Sequence, residues 1–342
     1  MPIAILLALL ACLSACGRGG SDSNTPEEPP ARTAISMGPY LQAPGATTMT
    51  IMWETSAPVT GRLQYGPTTE YAYRYDEPQA AVIHQIRLTG LAPETRYHFR
   101  VLSPSDAAQP DERTGTFVTA PESTTPFTFA AYGDSRADPV VHRALADRVL
   151  DAAPAFFVHL GDFVSNGHDR SLWEHDFFTP AAALLGAAPL LPVIGNHENN
   201  AQGYYDFFAP PAAESGSTTE AWYSCNYGCV HLIVLDSQQD FSPRSAQYAW
   251  LLADLASPPA VGAAWRIVAL HDPVYSSGLH GGNADVQKYL VPVFESSRVN
   301  LVLSGHDHAY IRSFRNGIMY VVTGGGGAPL YPVNSTPNPH QL

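Results

Sequence analysis

At Phe127 the texture of the chain changes, and that change limits the architectures open to it. Before it, from about residue 35 to 120, short alternating segments recur with turn residues between them: "TMTIMWET", "GRLQYG", "AVIHQIRL", "TRYHFRVLS", "RTGTFVT". No helical period competes, so this half is expected to be an all-β sandwich. After it, near-continuous apolar runs alternate with helical stretches. The runs are "FTFAAYGD", "AFFVHLGD", "PLLPVIGNHE", "VHLIVLD", "WRIVALHD", "VNLVLSGHDH" and "IMYVVTGGGG", with helices expected near residues 140–152, 170–185, 245–256 and 285–295. Strands buried on both faces and separated by helices predict an α/β layered domain. A chain of 342 residues exceeds what one hydrophobic core usually serves, which agrees with two domains. The expected division is 34–121 for the sandwich and 126–332 for the α/β domain.

The segment ahead of the sandwich cannot join either core. Residues 1–15 form an apolar stretch too short to span a bilayer and end in small residues before a cysteine, which predicts an export signal. Leu13-Ser14-Ala15-Cys16 resembles the bacterial lipoprotein signal, in which cleavage leaves the cysteine as the lipid-bearing first residue. The expected product is an exported, periplasmic or cell-surface lipoprotein anchored through Cys16; the alternative is plain secretion. Residues 16–33, rich in Gly, Ser, Pro and Glu, predict a flexible tether. Export implies an oxidising compartment. Cys225 and Cys229, in "WYSCNYGCVHLIVLD", lie on two expected strands around an Asn-Tyr-Gly turn, as a disulfide or as two packed thiols.

A formal net charge of −13 with only 18 Lys plus Arg argues against a nucleic-acid backbone or an anionic-lipid surface as the main partner. An anionic substrate would need local positive charge, such as bound metal. Polar residues that follow five strand ends offer the ligands: Asp134 in "YGDSR", Asp162 in "LGDF", Asn196 and His197 in "IGNHE", His271 in "ALHDP", and His306 and His308 in "SGHDH". Open sheets bind ligands in the crevice at such ends. Each motif alone is a common turn or helix cap. Together, carboxylate and amide oxygens mixed with imidazoles suit Zn, Mn or Fe rather than Ca or Cu(I). In four of the five a glycine precedes the first polar residue, which permits close backbone approach to whatever is bound.

The order GD, GD, GNHE, VALH, GHDH resembles the calcineurin-like metallophosphoesterase superfamily. The leading "GPYLQ", Trp53 and the pattern from Leu91 to Val101, with its tyrosine corner, resemble the purple acid phosphatase branch and its fibronectin type III-like N-terminal domain. The likeness implies a catalytic domain of two mixed sheets flanked by helices. It implies hydrolysis of phosphate monoesters of a small phosphorylated substrate by a metal-bridging hydroxide; a phosphodiesterase, a nucleotide hydrolase or a catalytically degenerate surface-binding lipoprotein is the alternative. By the same likeness Asp134, Asp162 and His308 would hold one ion and Asp162, Asn196, His271 and His306 a second. His197 would contact phosphate and donate a proton, oriented by Glu198, and His280 would touch substrate.

Two departures alter the expectation. Ser165 stands where that branch has a tyrosine, which favours an all-divalent pair of the Fe, Zn or Mn class. Arg136 in "GDSR" stands where many members have a histidine, either as a phosphate clamp or in a surface ion pair, leaving water or a residue such as His168 to complete the first ion's shell. His84, His98, His159 and His231 are expected to be packed or solvated, and His142, His175 and His340 to lie at the surface or tail.

Overall fold

The computed structural model describes residues 34–122 and 124–332. The signal, tether, Cys16 and His340 expectations lie outside the described residues. Strands β1 (Ile35–Gln42), β2 (Met49–Val59), β3 (Arg62–Gly66), β4 (Tyr73–Asp76), β5 (Ala81–Leu88), β6 (Arg96–Ser103) and β7 (Asp111–Val118) make up the first half. Their inward side chains, among them Trp53, Leu63, Phe99 and Phe117, form the sandwich core. The tyrosine corner is present: the Tyr97 hydroxyl accepts from the Ala92 amide at 2.9 Å.

The second half contributes β8 (Ala130–Tyr132), β9 (Phe157–His159), β10 (Leu190–Pro192), β11 (Tyr223–Tyr227), β12 (Val230–Val234), β13 (Trp265–Ala269), β14 (Leu301–Ser304), β15 (Tyr310–Arg315) and β16 (Ile318–Thr323). Two mixed six-stranded sheets result, in the orders β5-β2-β1-β10-β9-β8 and β11-β12-β13-β14-β16-β15. The first sheet crosses the change of texture, because β1 pairs in parallel with β10, Gln42 opposite Leu190. Apolar faces of the two sheets meet around Phe156, Val158, Leu191, Leu232, Val234 and Ile267. Helices cover the outer faces, with Leu184 and Phe177 against the first sheet and Leu251 and Phe294 against the second. The layers are therefore helix, sheet, sheet, helix, as near-continuous apolar strands require.

Two expected helices are broken, each at a proline. The helix near 285–295 divides into Ala284–Tyr289 and Val291–Ser296, since Pro292 has no amide to continue the first ladder. The helix near 170–185 is a short α turn at Arg170–Leu172, a π segment at Trp173–Phe178 and an α-helix at Thr179–Ala187. Pro180 cannot donate to the Asp176 carbonyl, and that carbonyl accepts from Nδ1 of His142 at 2.8 Å instead. His142 is thus fully buried rather than at the surface, with its Nε2 3.1 Å from the Tyr132 hydroxyl.

The hairpin at 223–234 also differs from expectation. Its turn is Gly228-Cys229, with Tyr227 opposite Val230. Cys225 faces Leu232 inside the inter-sheet core and both cysteines are free thiols, since a two-residue turn does not set Cys229 across from Cys225.

Candidate metal centre

All five motifs follow the C-terminal ends of parallel strands: Asp134 after β8, Asp162 after β9, Asn196 after β10, His271 after β13 and His306 after β14. The two sheets thereby bring loops from both halves of the layered domain to one edge. Asp134, Asp162 and His306 adopt positive φ of 61°, 57° and 66°, conformations that ordinary residues hold only where surrounding bonds enforce them. Those bonds are present. The Asp134 amide donates to the Gly161 carbonyl at 2.9 Å, and the His306 amide to Asp134 Oδ2 at 2.9 Å. The preceding glycines allow the loops to approach one another: a Cβ on Gly195 would meet the Asp162 side chain at 2.5 Å, and one on Gly305 the Asp134 carboxylate at 2.6 Å.

Asp134, Asp162, His271 and His308 form a buried floor, while His306 and His197 are half-buried and Asn196 and His280 are exposed at the mouth. Donor atoms of Asp134, Asp162 and His271 lie within 4.8 Å of one another. His271 Nε2 is 3.4 Å from Asp162 Oδ1, 3.0 Å from Asn196 Oδ1 and 3.2 Å from His306 Nδ1, which is itself 3.0 Å from Asn196 Oδ1. On the other side His308 Nε2 is 3.5 Å from Asp134 Oδ1.

Protons cannot satisfy this arrangement in its neutral form. A carbonyl only accepts, so His271 Nδ1 donates to Leu160 O at 2.7 Å and His308 Nδ1 to Pro329 O at 2.7 Å. The Nε2 of each neutral ring is left as a lone pair facing oxygen acceptors. Asp134 Oδ1 is buried with no hydrogen-bond partner at all. Converging lone pairs and an orphaned carboxylate oxygen fit cations of the kind that oxygen and imidazole ligands hold together. Burial works against charge on His271, yet Asp162 and Asp134 push its pKa up to about 9: the pocket demands positive charge.

Asp272 also comes near His271 and His306. Its oxygens accept from the side-chain amides of Gln238 at 2.7 Å and Asn283 at 2.8 Å. His168 is exposed and belongs to neither cluster of donor atoms among the described residues.

His197 lies beside the floor. Its Nδ1 donates to the Ser165 carbonyl at 2.9 Å, and its Nε2 stands 3.8 Å from Asp162 Oδ2 on a side chain 31% exposed. Glu198 does not orient it, contrary to the sequence expectation. The Glu198 carboxylate is buried and accepts from the amides of Gly195 at 2.7 Å, Asp162 at 2.8 Å and Phe163 at 2.8 Å, fastening the loops after β9 and β10 together. Burial and then Asp162 push its pKa up to about 8 despite these donors. Ser165 donates to Asp176 Oδ2 at 3.4 Å, so Asp176, Ser165 and His197 form a chain of support.

His280 lies at the mouth, its ring centroid 4.3 Å from that of His306. Arg136 is not in a surface ion pair: its Nε is 3.3 Å from Asp162 Oδ2 on a side chain 16% exposed. Three contributors were not read from the sequence. Asp307, buried and between His306 and His308 in sequence, accepts from the Ser276 hydroxyl and from the His280 amide at 2.9 Å, fixing the 276–280 loop. Asp176 is the second. Tyr331 is the third, stacked on His308 with centroids 4.0 Å apart.

Residues 133–310, just over half of the chain, match the family Calcineurin-like phosphoesterase, and residues 37–119 match the purple acid phosphatase N-terminal domain. Purple acid phosphatase 15 of Arabidopsis thaliana is 28% identical over 295 residues, 72% of this chain and 54% of its own length; purple acid phosphatase 23 is 27% identical over 294 residues, 72% and 63%. The chain thus spans less than two thirds of the length of these relatives. Purple acid phosphatase PPD1 from yellow lupin superposes with a TM-score of 0.75 at 17% identity, covering 89% of this chain and 67% of that one. By fold, by the match over its second half and by the domain ahead of it, the chain belongs to the calcineurin-like phosphoesterase family, with a purple acid phosphatase N-terminal domain.

Proposed function

We propose that this chain hydrolyses phosphate monoesters with a pair of metal ions, one held by Asp162, Asn196, His271 and His306 and the other by Asp134, Asp162 and His308. The observation that carries this reading is the buried Asp134 oxygen left without a hydrogen-bond partner beside the converging donor atoms of Asp162, His271 and His308. When bound, such a pair lowers the pKa of water and neutralises developing charge on a phosphate. Ser165 offers no phenolate, which favours divalent ions of the Zn, Mn or Fe class.

The protein side chains divide the remaining work. With Nδ1 of His197 committed to the Ser165 carbonyl, its exchangeable proton sits on Nε2, where it reaches the leaving oxygen of a substrate entering the open mouth. His280 stands beside His306 at that mouth and contacts the phosphate or its ester group. Glu198, Asp176 and Asp307 touch no substrate and act by positioning the loops. The preference for monoesters rests on the purple acid phosphatase relatives. Export and a lipid on Cys16 belong to the same proposal and are tested by the mass of the mature N-terminus.

The test compares turnover of an aryl phosphate monoester and the matching diester by protein stripped of metal and reloaded with Mn or Zn. Faster monoester turnover is expected. A strong preference for the diester would reassign the enzyme as a phosphodiesterase, and metal uptake without turnover of either would leave a binding protein.

A further inference from the structure

The two sides of Asp162 differ in one respect that the ligand set alone does not reveal. Around its Oδ1, the donor atoms of Asn196, His271 and His306 have one another as neighbours at 3.0 to 3.2 Å. Around its Oδ2, a guanidinium is already seated. Arg136 Nε lies 3.3 Å from Asp162 Oδ2, and its terminal nitrogen lies 3.4 Å from His308 Nε2. Since His308 Nδ1 donates to Pro329 O, the atom facing Arg136 is a lone pair, and the contact is a hydrogen bond in which Arg136 is the donor. The same His308 atom is 3.5 Å from the unpartnered Asp134 Oδ1. A fixed positive charge therefore spans two of the three residues assigned above to one ion.

We propose that Arg136 is a displaceable internal cation: its guanidinium holds Asp162 Oδ2 and His308 Nε2 until a metal ion takes them, and it then turns to the substrate phosphate. This rests on the metal reading above and adds an order to it. The position among Asn196, His271 and His306 fills first and tightly. The position at Asp134 and His308 fills second and more weakly, because the incoming ion must displace charge-assisted hydrogen bonds. Released, the planar fork matches two phosphate oxygens, a geometry that lysine does not reproduce. The side chain is 16% exposed and belongs to the loop that follows β8, so neither a helix nor a strand holds its backbone.

Stepwise metal titration of the chelator-stripped chain by calorimetry, with Mn or Zn, tests this in wild type, Arg136→Ala and Arg136→Gln. Wild type should bind two ions in two unequal steps. Both variants should tighten the second step by about tenfold or more, the scale of one lost charge-assisted partner, and the first by a much smaller factor. Unchanged affinities, or an equal gain in both steps, would overturn the proposal, the latter indicating only a general field effect. Failure of every protein to bind any ion would instead contradict the metal reading itself. Arg136→Gln keeps most of the side-chain volume, so a folding defect confined to Arg136→Ala leaves the comparison intact.

Discussion

Asp162 Oδ2 and His197 Nε2 sit 3.8 Å apart, and the two residues carry different burdens. Asp162 offers both oxygens to the centre, so Asp162→Asn should abolish turnover and lower the metal content of the purified protein; full metal content with normal turnover would contradict its assignment. In the proposed mechanism His197 contributes a proton and no ligand atom. His197→Asn should lower kcat by about 10²- to 10⁴-fold, the usual range for a general acid, while element analysis finds the metal unchanged. Glu198→Gln tests a positioning residue. An amide in place of a carboxylate turns a donor toward the amides of Gly195, Asp162 and Phe163, costing on the order of 1–3 kcal/mol for the donor left unpaired. Thermal unfolding and metal content should both register the loss.

At the scale of elements, the π segment at Trp173–Phe178 links the helix Pro139–Asp151 to the loop that follows β9. Its Asp176 carbonyl binds buried His142 and its Asp176 carboxylate binds Ser165. Burial pushes the His142 pKa down to about 4. The sign follows: below an ordinary histidine pKa of 6.5 the unfolded chain takes up a proton that the folded chain refuses. Stability should therefore be full above that pH and fall by on the order of 3 kcal/mol as pH drops toward 4. His142→Gln should flatten this part of the stability profile in denaturant titrations at stepped pH. The sequence exposed the strands and the five loops that follow them, because apolar runs ending in Gly-Asp, Gly-Asn, Gly-His or, at His271, Leu-His are local patterns. The π segment, the burial of His142 and the backbone duty of Glu198 were not legible. Each depends on a partner brought near only by folding: the Asp176 carbonyl freed by Pro180, and the amides of the Asp162 loop.

The whole molecule shows the same limit. A change of texture at Phe127 is visible in sequence, but the pairing of β1 with β10 that carries one sheet across it is not. Met37, Tyr40 and Met52 from the first half pack in the core that holds Phe178 and Leu184, with the Tyr40 and Phe178 rings 5.1 Å apart. Arg170 and Glu54 add an ion pair between the halves, and the Tyr40 hydroxyl donates to the Phe207 carbonyl at 3.0 Å. The described residues should thus unfold in one calorimetric transition, and residues 126–332 expressed alone should give no cooperative transition; a folded, active fragment would show that the shared sheet is dispensable. The central claim is that loops from two sheets converge on a carboxylate shared by two cations. Anomalous diffraction at the absorption edge of the bound metal tests it most directly. Two peaks are expected, each about 2.0–2.2 Å from an oxygen of Asp162, one beside Asn196, His271 and His306 and the other beside Asp134 and His308. Crystals of metal-loaded, active protein with no peak at Asp162 would contradict it.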